Sequence, residues 1–353
     1  MIKCVKMSYD RVLHQKLTGW IALLCVVNVT VGLGTAASEK SAAPVTSPKP
    51  GTTQIARWKD NKKAVFLLMF DDNVASHFQT VIPELSKRGF RATFYVNPGT
   101  GTWQSAKDEW EVKIPAIPNV VYANHTWTHK GIMSLESAEE EIGKANEVLH
   151  KLSSNKKPRL LSFGRPGVGP EQWTISEADL KRVLDRHNLV ERPAAVTQIA
   201  MAPLNTSAGM LGLADRAIAD GGMGGIVFHG VGAEWIVTPI ETFNAFLDGL
   251  QVRRDKLWIT DHISAHQYET ERSSAVVEVR ENFASRIRLR LQTTANSQLF
   301  DLPLTLITQV KASWKKCEVV QGNRKKVVAA TGNKLMFEAL PNSEIITIRR
   351  LVN

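Results

Sequence analysis

Ala64-Val65-Phe66-Leu67-Leu68-Met69-Phe70, followed at once by Asp71-Asp72, is the stretch on which the fold turns. Seven apolar residues without a polar alternate describe a strand buried on both faces, as a parallel sheet covered by helices requires. Shorter apolar runs recur at 92–96, 120–123, 160–163, 196–201, 226–228 and 257–260, which makes seven expected strands. The gaps between them carry helical periodicity. Ser137 with Glu140 reads as a capping box ahead of Ile142, Ala145, Leu149 and Leu152 on one face, and 239–250 places Ile240, Phe243, Leu247 and Leu250 inward. Strand and helix in alternation predict an α/β barrel of parallel strands. After Ser274 the period changes to two: Ile287, Leu289 and Leu291 interleave with Arg286, Arg288 and Arg290, and Leu302, Leu304 and Leu306 alternate again. That pattern predicts a small antiparallel β-sandwich module beside the barrel.

At 353 residues, one barrel and one small module account for the chain, and 43% hydrophobic with 22% charged residues is ordinary for a globular protein. The N-terminus reads differently. Lys3, Lys6, Arg11 and Lys16 precede the apolar stretch Trp20 to Val27, and the small residues Thr35-Ala36-Ala37 follow. Positive start, short apolar centre and small residues before a cut compose a secretory signal. Asn28 and Thr30 break the apolar stretch short of the ~20 residues that cross a bilayer, so no permanent membrane span is expected. The expected organisation is a signal peptide at 1–37, a flexible linker at 38–56, the barrel at 57–272 and the β module at 273–353. Export places the mature protein outside the cytoplasm: secreted, periplasmic or on the cell surface. Only Cys317 then remains, and no intrachain disulfide can form. From Ala275 onward, 13 basic residues face 6 acidic ones, so the positive surplus of the mature chain lies on the module. Such a surplus suits an anionic polymer or simply a solvated face; nothing points to a nucleic acid.

In barrels of this kind, reactive groups gather at the C-terminal ends of the strands. Those ends carry Asp71-Asp72, then Asn124-His125-Thr126-Trp127-Thr128-His129, then Gly164-Arg165-Pro166, and finally His229. Two imidazoles four residues apart plus one carboxylate form the set that leaves zinc an open position for water. Adjacent aspartates direct their side chains differently, so one can bind a metal while its neighbour faces the water. A nearby cation and a guanidinium, here expected from Arg165, favour a charged base. Trp127, Trp103 and Trp235 are expected in loops bordering the same mouth, where aromatic faces pack on sugar rings. Asp261, His262 and His77 are left outside the site.

With these residues in place, the chain resembles the polysaccharide deacetylases of the NodB-homology family, carbohydrate esterase family 4, over roughly residues 64–260. The family motif Thr-Phe-Asp-Asp-Gly is matched by Met69-Phe70-Asp71-Asp72-Asn73, with Asn in place of Gly. His-Ser/Thr-x-x-His is met in full by His125-Thr126-Trp127-Thr128-His129. Arg-x-Pro-Tyr-Gly is met in part by Arg165-Pro166-Gly167-Val168-Gly169, and Leu-x-His by Val227-Phe228-His229; the Asp-Trp motif has no counterpart. The resemblance implies a distorted (β/α)7 TIM-like barrel of NodB type, which the all-β module read from the period-two pattern then follows. It implies a divalent metal, zinc first, on Asp72, His125 and His129. Asp71 is implied as the base, His229 as the acid, Arg165 as the group orienting the base, and the Val168 N–H as an oxyanion donor. The implied reaction is removal of acetyl groups from an N- or O-acetylated polysaccharide by zinc-bound water. Trp127 and Trp235 remain expected sugar contacts.

Two other readings compete. One is a catalytically inactive carbohydrate-binding relative that holds an anionic glycan, suggested by the incomplete third and missing fourth motifs. The other is a glycosidase using Asp71 and Asp72. Its two carboxylates must flank a bond from opposite sides, about 5 to 9.5 Å apart, which neighbours on one strand end do not.

Overall fold

The computed structural model describes residues 49–152, 159–198 and 204–351. The first nine strands are β1 (Thr53–Ile55), β2 (Ala64–Asp71), β3 (Ala92–Val96), β4 (Val120–Asn124), β5 (Leu161–Phe163), β6 (Leu189–Glu191), β7 (Val196–Gln198), β8 (Met223–Phe228) and β9 (Leu257–Thr260). β2 is buried throughout and lies in a parallel sheet ordered β6-β5-β4-β3-β2-β8-β7, with β9 added along the first half of β2. Its side chains alternate between two apolar surroundings, which explains the absence of a polar alternate. Ala64, Phe66, Leu68 and Phe70 pack in the core shared with the surrounding helices. Val65, Leu67 and Met69 face the lumen and belong to a second core. Among the described residues β6 and β7 form no ladder with each other, so the barrel stays open there. This is the distorted barrel that the resemblance implies.

The seven expected strands appear, β7 in its described part, with an eighth that the sequence reading passes over. β6 is only three residues long and follows directly on the helix Glu177–Arg186, so no apolar run marks it. The expected signal peptide, the linker up to Pro48 and the end of the 196–201 strand lie outside the described residues. The helical cap sits three residues earlier than expected. Ser134 Oγ accepts the Ser137 N–H at 3.2 Å while Ser137 Oγ accepts the Ser134 N–H at 2.9 Å, a reciprocal box in which a hydroxyl replaces the glutamate. Ile142, Ala145 and Leu149 are buried as expected. Ile240, expected inward, is 40% exposed, because it starts the helix Ile240–Val252 and packs over Gly232 in the preceding loop. Phe246 is buried on that helix beside Phe243, Leu247 and Leu250.

The C-terminal part holds β10 (Val276–Asn282), β11 (Arg286–Gln292), β12 (Leu304–Gln309), β13 (Lys316–Gln321), β14 (Arg324–Ala329), β15 (Lys334–Ala339) and β16 (Asn342–Arg350). They form an antiparallel sheet β10-β11-β16-β13-β14 and a three-stranded sheet β1-β12-β15. The stretch read as a spacer therefore enters the fold before residue 56. β12 needs a partner for its free edge, and Thr53 to Ile55 supply one through the register Thr53 to Thr308. Leu289, Leu291, Ile346, Ile348, Leu306 and Phe337 share one core, which continues through Trp58, Ala265 and Tyr268 into the barrel lumen. Residues from Pro48 to Asn353 accordingly make one compact unit, with the change of architecture near residue 273 inside it. No helix among the described residues is long and apolar enough to cross a membrane.

Glu271 is fully buried near the end of the helix His262–Ser274. One oxygen accepts the Leu302 N–H at 3.1 Å and the other has no partner among the described residues. Burial, with Asp301 nearby, pushes its carboxyl up to about 7. The folded protein thus binds a proton that the unfolded chain releases near pH 4 to 5, so stability falls as pH rises through that window to about 7, then levels. Glu271→Gln should remove this slope and raise the melting temperature at pH 8. Parallel melting curves for the two proteins from pH 5 to 8 would contradict it.

Candidate metal centre and active site

The ends of β2, β4 and β8 bring Asp72, His125, His129 and His229 together, as the sequence predicts. Asp72 Oδ1 lies 3.4 Å from His125 Nε2 and 3.3 Å from His129 Nε2. The three donors lie within 4.8 Å of one another. Asp72 Oδ1 is also buried and has no hydrogen-bond partner among the described residues. Donors about 2.0–2.1 Å from a tetrahedral ion stand about 3.3–3.4 Å apart, so an orphaned carboxylate oxygen at these two spacings fits a shared cation. His125 Nδ1 donates to the Gly164 carbonyl at 2.8 Å, which leaves its Nε2 lone pair facing Asp72. Burial opposes ionisation of Asp72, yet interaction with His125 and the charges of His129 and His229 outweigh it and hold the carboxyl below its usual range. Burial, and then His125, lower His129, which favours the neutral imidazole that a metal requires.

The supporting residues explain the local backbone. Asp72, Asn73, Thr126 and His129 all have positive φ, between 43° and 78°. Asn73, where the family motif has glycine, is a residue type that tolerates this region. Its Oδ1 accepts the Asn97 N–H at 2.6 Å and its Nδ2 donates to Thr102 at 2.8 Å, so the substitution ties the end of β2 to the loop after β3. The Asn97 amide in turn donates to the His125 carbonyl, and buried Glu141 accepts both the N–H and the hydroxyl of Thr128. The histidine loop is therefore fixed from two sides.

Asp71 is buried and held by a guanidinium, but not by that of Arg165. Arg192 donates from both terminal nitrogens, at 2.7 Å to Oδ1 and 3.0 Å to Oδ2. Its guanidinium also lies over the Tyr95 ring, 3.9 Å from the centroid. Gly164 makes room for it, since a Cβ there would stand 2.2 Å from Arg192 Nη2. Burial acts to lower Arg192, and the charge of Asp71 raises it beyond its ordinary value. Arg165 instead pairs with Glu177 and Glu191 near the surface. Arg192 follows the overlooked strand β6; the only signal for it in the sequence is Leu189-Val190-Glu191-Arg192-Pro193, a short run ending in Arg-Pro.

Three further expectations are revised. The Val168 N–H donates to the Pro166 carbonyl at 3.0 Å, closing a tight turn within its own loop instead of offering a free oxyanion donor. Trp103 is fully buried, stacked on Trp110, with its indole N–H on Glu111, so it belongs to the core. Trp127 is half-buried and packs over Gly99, and Trp235 is 46% exposed with its Nε1 3.0 Å from Asp72 Oδ2. His229 Nε2 stands 3.7 Å from the same oxygen. His77, left outside the site, donates from Nε2 to the His229 carbonyl at 2.9 Å and so fixes that strand end. Burial brings His77 down to about 4.

Arg192→Lys keeps a positive charge but loses the fork that binds both oxygens of Asp71. It should lower turnover on an acetylated oligosaccharide by about 100-fold, the order that small misplacement of a reacting group causes. Arg165→Lys should leave turnover unchanged, since its exposed pairs lie away from Asp71. The reverse ranking in a side-by-side assay would return the role to Arg165.

A family model described as polysaccharide deacetylase matches residues 59–175. A search of curated proteins found no match. Among solved structures, the chain is similar to a family 4 carbohydrate esterase from Streptomyces lividans in complex with acetate, at 16% identity, covering 56% of this chain and 91% of that one, with a TM-score of 0.37. It is similar also to the peptidoglycan deacetylase PdaC from Bacillus subtilis, at 15% or 16% identity in its two structures, the unmutated one at 16%, 59% and 91% coverage and a TM-score of 0.40. A third is BA3943 from Bacillus anthracis, a CE4 family pseudoenzyme, at 18% identity, 61% and 68% coverage and a TM-score of 0.42. The segment that is similar to the polysaccharide deacetylase family contains the Asp71-Asp72 pair, His125 and His129, while His229 lies beyond it.

Proposed function

We propose that this protein is an exported, metal-dependent hydrolase that removes acetyl groups from an N- or O-acetylated polysaccharide, with zinc as its metal. The observation that carries the reading is the division of labour between two adjacent carboxylates. Asp72 Oδ1 lies without a hydrogen bond beside two imidazole nitrogens, while Asp71, held by Arg192, stands 3.6 Å from His125 Nε2. A divalent ion bound by Asp72, His125 and His129 supplies a polarised acyl carbonyl and a more acidic water.

The chain's own residues do the rest. Asp71 accepts the proton of the attacking water; each of its oxygens accepts one hydrogen bond from Arg192 and keeps a second lone pair. Arg192 fixes the direction of that lone pair, which a general base needs more than it needs proximity alone. His229, whose Nε2 stands 3.7 Å from Asp72 Oδ2, gives a proton to the departing amine or alkoxide. His77 holds the His229 backbone while the Nδ1 of His229 has no partner among the described residues. Half-buried Trp127 and exposed Trp235 provide aromatic faces at the mouth for sugar rings.

A binding-only relative is the second reading, and the bond from the Val168 N–H to Pro166 favours it, because that loop then lacks a free oxyanion donor. Acetate release separates the two. Asp71→Asn should lose activity by about 10³-fold, within the usual range for a general base, while still binding one zinc. Chelation should silence the wild-type protein and zinc should restore it. Wild-type turnover in Asp71→Asn removes the mechanism, and a zinc-loaded protein that releases no acetate from any acetylated oligosaccharide supports the binder.

A further inference from the structure

Trp235 stands out as an aromatic on a surface loop whose single polar side-chain atom is spent on a proposed metal ligand. We infer that Trp235 is a positioning residue of the metal centre: its indole N–H holds Asp72 Oδ2 so that Asp72 presents only Oδ1 to the cation. The inference rests on the metal site proposed above.

The two carboxylate oxygens of Asp72 have different surroundings. Oδ1 faces His125 and His129 at 3.4 and 3.3 Å. Oδ2 accepts from Trp235 Nε1 at 3.0 Å. A carboxylate rotating freely could bind a cation through either oxygen or both; a donor fixed on one oxygen leaves a single mode, as hydrogen-bonded partners behind metal ligands commonly do. The loop is built to hold the indole there. Glu234 and Ile236, on either side of Trp235, adopt φ of 67° and 49°, which non-glycine residues keep only when their surroundings impose it. Those surroundings are visible. The Trp235 carbonyl accepts the Gly230 N–H, Glu234 accepts the Ser76 N–H at 3.1 Å, and the Val231 N–H donates to Ser76 Oγ at 3.2 Å. Ser76 lies four residues beyond Asp72, so the loop after β8 is bolted to the turn that carries the ligand. Burial does not explain the indole's position: 46% of Trp235 is exposed, whereas Trp103 and Trp110 are buried in the core.

Trp235→Phe in the full chain keeps the aromatic face and removes only the donor. Zinc affinity, measured by competition with a chelating dye, should weaken by about 10- to 100-fold, with the melting temperature of the metal-free protein unchanged. Wild-type zinc affinity in Trp235→Phe would overturn the inference and leave Trp235 a sugar platform. Wild-type protein that takes up no zinc at all overturns this inference together with the proposed function.

Discussion

Two neighbouring carboxylates at the end of a buried strand must each find positive or hydrogen-bonding partners, and the site is organised around that demand. Asp71 meets it completely with the fork of Arg192. Asp72 meets it in half: one oxygen takes the Trp235 N–H, while the other faces two imidazole nitrogens too far away to donate a good hydrogen bond. A buried anionic oxygen without a donor is costly unless a cation completes it. The same strand that makes the fold therefore creates a place suited to a cation.

The surrounding structure keeps this unfinished arrangement in place. Positive φ at Asp72, Asn73, Thr126 and His129 concentrates backbone strain at the site, where the Asn73, Asn97 and Glu141 hydrogen bonds fix it. Below the mouth, the lumen side chains of β2 pack into the core of the C-terminal sandwich through Trp58, Ala265 and Tyr268. A second buried chain of contacts runs from Arg192 over Tyr95, whose hydroxyl meets Ser162 at 2.7 Å, and on from Ser162 to His262 at 2.7 Å. Asp71 is thus supported from the floor of the barrel as well as from its rim.

Much of this was legible in the sequence. The unbroken apolar run 64–70 could only be a strand covered on both sides, and the acidic pair and histidine pair each followed a clear strand signal. The period-two pattern of Ile287, Leu289 and Leu291 marked the sandwich in the same way. What escaped depended on tertiary packing. β6 is too short to show a period, so Arg192 had no visible place at the barrel mouth, and Arg165 took its role on the strength of motif position. β1 joins the sandwich because β12 offers an edge, which no local property of Thr53 to Ile55 announces. The bond from Trp235 to Asp72 joins residues 163 positions apart and leaves no trace in spacing.

Anomalous X-ray scattering at the zinc absorption edge, from crystals of the zinc-incubated protein, locates any bound ion. One strong peak bounded by Asp72 Oδ1, His125 Nε2 and His129 Nε2, with Asp71 still paired to Arg192, is the expected result. A peak elsewhere with this triad empty, or no peak at saturating zinc, contradicts a shared cation on these three residues.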